Sequence, residues 1–234
     1  MKLIKIFAFL VLFAGAGKSV AANVVEDRHL SGFHAVNVSG SFDVYIVQGA
    51  SESVKVDAPQ DVISHIATEV KNGNLNIYSK GKWSWGNLFS GNKKIVVYVT
   101  IRNVDGISLT GSGDVFFKEG INADRLRLAL TGSGDLNGKI NVKTLESDIT
   151  GSGDVKVKGH ADNAKVGVTG SGDFTGKELN TTNAVVRVGG SGDASVYVTG
   201  SLQANVTGSG DIHYGGNPKN IAKSTSGSGD ISRF

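Results

Sequence analysis

Leu130-Thr131-Gly132-Ser133-Gly134-Asp135-Leu136 and Ile149-Thr150-Gly151-Ser152-Gly153-Asp154-Val155 are two successive copies of one phrase. Its centre, Gly-Ser-Gly-Asp, occurs seven times, beginning at Gly111, Gly132, Gly151, Gly170, Gly190, Gly208 and Gly227, at spacings of 18 to 21 residues. A fixed period near 20 marks a solenoid, in which each repeat is one unit stacked on the next.

The copies agree beyond the tetrapeptide. Two positions before each first glycine stand Leu109, Leu130, Ile149, Val168, Val188, Val206 and Thr225. After each aspartate come Val115, Leu136, Val155, Phe174, Ala194, Ile212 and Ile231. Side chains alternate between faces along a strand. In the first copy this parity puts Ile107, Leu109, Val115 and Phe117 inside and Thr110, Ser112 and Asp114 outside. The glycines share the inward parity, so the chain there is thin or bent. No 3.6-residue apolar pattern supports helical repeats. The expected fold is all-β: a right-handed parallel β-helix with coils of roughly 19 residues, each made of three short strands and three turns. The 18-residue left-handed type lacks support, because its six-residue punctuation is missing.

Stacking in register makes two polar files along the outside. One is Ser112, Ser133, Ser152, Ser171, Ser191, Ser209 and Ser228; the other is Asp114, Asp135, Asp154, Asp173, Asp193, Asp211 and Asp230. Carboxylates ~5 Å apart repel by about 0.8 kcal/mol in bulk water and by more near a protein surface. Hydrogen bonds from turn N–H groups and the adjacent serine can offset this, making both files a structural ladder. Cations along the file are the other solution. One aspartate per coil gives too few oxygens for a dedicated cage, so no metal and no cofactor is expected.

Upstream of the repeats, strands are expected at Ala35–Val38, Phe42–Val47, Ser53–Asp57, Ala67–Val70, Asn74–Tyr78 and Ile95–Ile101. One short helix is expected from Pro59 to Ile66. Gly40-Ser41-Phe42-Asp43 reads as a degenerate copy of the tetrapeptide. Residues 23–110 therefore form an N-terminal β cap continuous with the repeat β-helix of 111–234, and 23–234 make one domain. Between two cap strands, Trp83, Trp85 and Phe89 stand amid Gly, Ser, Asn and Lys. These rings either contact a sugar or protein partner or fold back over the apolar end of the stack.

Residues 1–22 read as a signal peptide: Lys2 and Lys5, an apolar run from Ile6 to Ala16, and small residues through Ala22. The chain carries 24 basic and 21 acidic residues, and three of its lysines lie in this leader, so the mature protein is near neutral. Nucleic acid binding has no electrostatic support, and no integral membrane segment follows the leader. There is no cysteine, which excludes a lipoprotein anchor and thiol chemistry.

The leader, the opening Phe33-His-Ala-Val-Asn-Val-Ser-Gly-Ser-Phe-Asp-Val-Tyr-Ile-Val-Gln-Gly49 and the Gly-Ser-Gly-Asp repeats resemble the "putative auto-transporter adhesin, head GIN domain" family over about Asp27 to Phe234. The resemblance implies a β-helical protein outside the cytoplasm, with a surface or adhesive role and no catalytic residues to carry over. A self-translocating adhesin needs a C-terminal membrane barrel. This sequence ends four residues after Asp230, so export is expected to use the leader alone.

His29, His34, His65, His160 and His213 are dispersed and show no metal-binding pattern. Catalytic carboxylates need distinct environments, whereas these aspartates recur identically. The expected function is a non-enzymatic envelope or surface module, periplasmic, outer-membrane-associated or extracellular, that binds a protein or glycan. The alternative is a carbohydrate-active β-helix enzyme acting on a polysaccharide.

Overall fold

The structure, a computed structural model, describes residues 23–80 and 94–234. The leader and Trp83, Trp85 and Phe89 lie outside the described residues. The strands are β1 (Asn23–Asp27), β2 (Ala35–Gly40), β3 (Asp43–Gln48), β4 (Ser53–Pro59), β5 (Ile66–Lys71), β6 (Asn74–Ser79), β7 (Val96–Ile101) and β8 (Gly106–Gly111). The repeats supply β9 (Asp114–Gly132), β10 (Asp135–Gly151), β11 (Val155–Gly170), β12 (Phe174–Gly190), β13 (Ala194–Gly208), β14 (Ile212–Gly216), β15 (Asn220–Gly227) and β16 (Ile231–Arg233).

The repeats form a parallel β-solenoid. Gly111 pairs with Gly132, Gly132 with Gly151, Gly151 with Gly170, Gly170 with Gly190, Gly190 with Gly208 and Gly208 with Gly227. The core is made of the apolar files the sequence marks. Leu109, Leu130, Ile149, Val168, Val188 and Val206 are buried in register, as are Val115, Leu136, Val155, Phe174, Ala194 and Ile212. Each large side chain buried this way contributes about 1.5–3 kcal/mol.

Each full coil differs from the expected three short strands. It is a single bent strand of 15 to 19 residues, interrupted only at the tetrapeptide. Ladder bonding to the coils above and below continues through the other bends. Register slips such as that between Gly138 and Ile140, and Gly159 at φ 115°, absorb the change of direction.

Both tetrapeptide glycines are required by the stack. In Gly132, Gly151, Gly170, Gly190 and Gly208 φ lies between 117° and 129°, and a Cβ would collide with the first-glycine carbonyl of the preceding coil. At Gly134, Gly153, Gly172, Gly192 and Gly210 a Cβ would strike the second-glycine carbonyl of that coil. Gly40 to Asp43 is the copy beneath Gly111, with Gly40 facing Gly111 and Val44 facing Val115. Phe42 stands where the later copies have their second glycine, and its ring is buried under Gly40.

The N-terminal layers do not stack in chain order. β2 lies between β6 and β8, and β3 between β7 and β9, all parallel. The coil of β6 and β7, although later in sequence, therefore lies outside the coil of β2 and β3. Antiparallel pairings of β4 with β7, β1 with β4 and β5 with β6 widen this end. The expected helix from Pro59 to Ile66 is replaced by a 3₁₀ turn, Ile63–His65, while Pro59 ends β4. Eight residues are too few to repay helix nucleation. The bonds from Val62 N–H to Pro59 O and from His65 N–H to Val62 O close tight turns instead.

Two positions of the inward files depart from the apolar rule, Ser147 in the core and Lys223 exposed on the end strand. Ser147 is fully buried in the file between Leu128 and Val166, and its hydroxyl has no partner. Ser147→Ala removes that desolvated group at little change in volume, so a stabilisation of about 1 kcal/mol is expected in a urea titration. In the last coil the file continuing Val186 and Ala204 receives Lys223. Its Nζ lies 4.6 Å from the Tyr214 ring centroid and donates to Ile231 O at 2.9 Å. An inward charge on an edge strand opposes edge-to-edge pairing. Lys223→Val is therefore expected to raise the mass seen in light scattering above that of wild type, and an unchanged mass would refute this role.

Candidate functional site

Two surface features are repeated along the stack: the Gly-Ser-Gly-Asp corner and a groove on an adjoining face. At the corner, the first-glycine carbonyl accepts two N–H groups from the next coil, as Gly132 O does from Ser152 at 2.8 Å and Gly153 at 3.1 Å. The aspartates then chain together. Oδ1 of Asp114 accepts the N–H of Asp135 at 3.1 Å, Asp135 that of Asp154 at 3.0 Å, and Asp154 that of Asp173 at 3.0 Å. Asp173, Asp193 and Asp211 likewise accept from Asp193, Asp211 and Asp230, at 2.7 to 2.8 Å. The donor is thus the backbone of the next coil. The hydroxyls of Ser112, Ser133, Ser152, Ser171, Ser191, Ser209 and Ser228 point to solvent and take no part in the chain of carboxylates.

Asp43 begins the same file, and its carboxylate pairs with Lys94 Nζ at 3.0 Å. Lys156 Nζ sits 3.2 Å from Asp154, and that hydrogen bond holds its amine above the usual lysine range. Desolvation raises the Asp114 carboxyl above the ordinary aspartate range, with the neighbouring Asp135 and Asp43 charges adding to it. A carboxyl raised in the folded state favours folding below its ordinary value, and that contribution is lost as pH rises through the raised value. Asp114→Asn keeps an acceptor for Asp135 and has no charge. The variant's melting temperature is expected to gain on wild type as pH rises from about 4, the ordinary aspartate value, through the raised one. A pH-independent difference would refute the assignment.

Outward positions two residues beyond the first aspartates carry a feature that sequence reasoning missed. Tyr45 stacks on Tyr98 (5.6 Å between centroids) and on Phe116 (5.0 Å), and Lys118 covers Phe116. The signal, an aromatic at a constant offset from Asp43 and Asp114, was present in the sequence. The pairing of Tyr98 with Tyr45 depended on the inverted layer order.

The groove runs across six coils and has a volume of about 840 Å³. One wall is the outward file Arg125, Thr144, Asn163, Asn183, Ser201 and Asn220; the other includes Glu146, Lys165, Val185 and Gln203. Between them the floor is the backbone of Leu145, Ala164, Ala184 and Leu202, whose side chains point into the core. Asn183 Nδ2 donates to Asn163 Oδ1 at 3.1 Å, and Ser201 Oγ donates to Asn183 Oδ1 at 2.7 Å. Glu146 pairs with Lys165 Nζ at 2.7 Å, which holds its carboxyl below the usual glutamate range.

Among the described residues no three His, Asp or Glu side chains gather as a metal cluster, and no helix is long and apolar enough to cross a membrane. His34 and His160 each contact a single aspartate, Asp105 at 2.9 Å and Asp162 at 3.0 Å. His213 contacts Ser232.

The fold is found in solved structures. A putative adhesin from Bacteroides fragilis is 23% identical with a TM-score of 0.84, covering 91% of this chain and 97% of its own. A putative lipid binding protein from Parabacteroides distasonis is 25% identical with a TM-score of 0.72, covering 92% and 98%. A putative adhesin from the same species is 22% identical with a TM-score of 0.73, also covering 92% and 98%. No curated protein matches the chain. Residues 32–218 match the model of the putative auto-transporter adhesin, head GIN domain, and the chain belongs to that family.

Proposed function

We propose that the protein is a non-enzymatic module exported to the cell envelope or surface, which binds an extended partner chain through its solenoid face. The observation that carries this reading is the groove, open along six coils and walled by polar side chains at coil spacing. An adhesin-like family is consistent with it. The leader supports export, and mature protein is expected to begin at Ala22 or Asn23. The Asp file serves as a structural ladder in this reading, without the serine hydroxyls, and 23–234 act as one domain. The carboxylates of the ladder share one hydrogen-bond pattern from coil to coil, whereas hydrolysis of a glycosidic bond needs two carboxyl groups in different states. Incubation with a panel of polysaccharides should give binding without new reducing ends. Release of reducing ends, lost on mutation of a carboxylate, would replace this reading with the enzymatic one.

A further inference from the structure

Building on that reading, we infer that the groove takes a linear acidic polysaccharide. Four charged side chains line it, three of them basic: Arg125, Lys165 and Lys219 against Glu146. Glu146 is already committed to Lys165 and, at 3.7 Å, to Arg127. Arg125 and Lys219, at opposite ends of the groove, have no carboxylate within ion-pair distance among the described residues. This local excess stands out in a protein whose described charges nearly cancel.

The wall also offers hydrogen-bond donors. The wall uses the side-chain oxygens of Asn163 and Asn183 as acceptors within its own ladder. Each amide nitrogen carries two hydrogens, so at least one N–H per asparagine remains for a ligand. Free N–H donors together with excess positive charge complement an acceptor-rich anion.

The groove's form indicates a polymer of saccharide type. Its polar positions recur at the strand spacing of about 4.8 Å, which a chain of repeating units can follow from coil to coil. The floor is backbone over small and aliphatic residues, suited to the C–H face of a sugar ring, while the walls meet hydroxyls and carboxylates. No aromatic ring lines it, so nucleobases have no stacking platform. It is open along its length, unlike the enclosed apolar cavity that buries most of a ligand.

The test measures binding of the protein to polygalacturonate and alginate, to neutral dextran and to single-stranded oligothymidylate, by affinity electrophoresis and calorimetry. At least one acidic polymer is expected to bind tenfold or more tighter than dextran, with affinity falling as salt rises. Arg125→Glu with Lys219→Glu should weaken that binding at least tenfold. Asn183→Trp, which fills the middle of the groove, should abolish it while the melting temperature is unchanged. Equal binding of dextran, indifferent to the charge variants but lost in Asn183→Trp, overturns acid selectivity and leaves the groove reading standing. Binding that survives Asn183→Trp overturns the groove itself. Oligothymidylate bound as tightly as the acidic polymers overturns the saccharide assignment, and failure of both acidic polymers to bind overturns the inference.

Discussion

Gly153→Ala is expected to destabilise the protein by about 3 kcal/mol or more, far beyond an ordinary surface substitution. The added methyl would lie against Gly134 O, the backbone of the coil beneath, with Gly134 N and C also within 3.1 Å. No side chain can swing aside. Relief requires the coils to separate, which stretches the bonds from Gly153 N–H to Gly132 O (3.1 Å) and from Asp154 N–H to Asp135 Oδ1 (3.0 Å). Separation also opens the packing of Val155 on Leu136. Overpacking costs typically about 1–3 kcal/mol and a lost hydrogen bond about 1 kcal/mol; here both act at one point. Ser152→Ala, one residue away and exposed, is the control and should fall within about 0.5 kcal/mol of wild type. The check is the urea midpoint at unchanged m-value. An alanine variant as stable as wild type would mean that the second-glycine file is not stacked carbonyl to Cα.

The second large effect separates shape from charge in the aspartate file. Asp173→Ala deletes the acceptor for the Asp193 N–H, now bonded at 2.8 Å, and leaves that half-buried donor unpaired at a cost of about 1–3 kcal/mol. Asp173→Asn keeps an oxygen in the same place. It gives up the greater strength of a charged acceptor and relieves repulsion from Asp154 and Asp193 of about 0.8 kcal/mol per neighbour or more. The asparagine variant is therefore expected within about 0.5 kcal/mol of wild type, and millimolar Ca²⁺ should leave the melting temperature of both unchanged. If asparagine proves as damaging as alanine and Ca²⁺ stabilises only wild type, the file is a cation site.

The outcome of these experiments depends on residues whose role the repeat announces with different clarity. Parity along Ile107, Leu109, Val115 and Phe117 identifies the buried face, and all four side chains are buried. The same rule gives Lys223 the inward parity of Val186 and Ala204, yet it is exposed, because β15 lies in the last coil with no coil beyond it among the described residues. Phe42 breaks the tetrapeptide for an equally positional reason: the collision that forbids a Cβ at Gly113 and above is with the coil below. At Phe42 that space holds its own ring. The groove left no motif, because its wall is assembled from single polar residues about 19 apart, Asn163, Asn183, Ser201 and Asn220, each unremarkable in its own segment. The expected bond from serine to aspartate was plausible locally, yet the backbone N–H of the next coil reaches the carboxylate first.

The sequence by itself determined the period, the buried files, the two obligatory glycines and membership of a β-solenoid class, because a repeating coil meets the same neighbours at each level. Only the tertiary structure decided where that repetition stops: the insertion of β2 and β3 between β6–β7 and β8–β9, the lysine closing the last coil, and the alignment of scattered amides into one wall. The physical reason is that a stack's interior is specified by nearest-neighbour contacts written into every repeat. Its ends and outer surface depend on which coil lies next, a relation between distant segments that no local pattern contains.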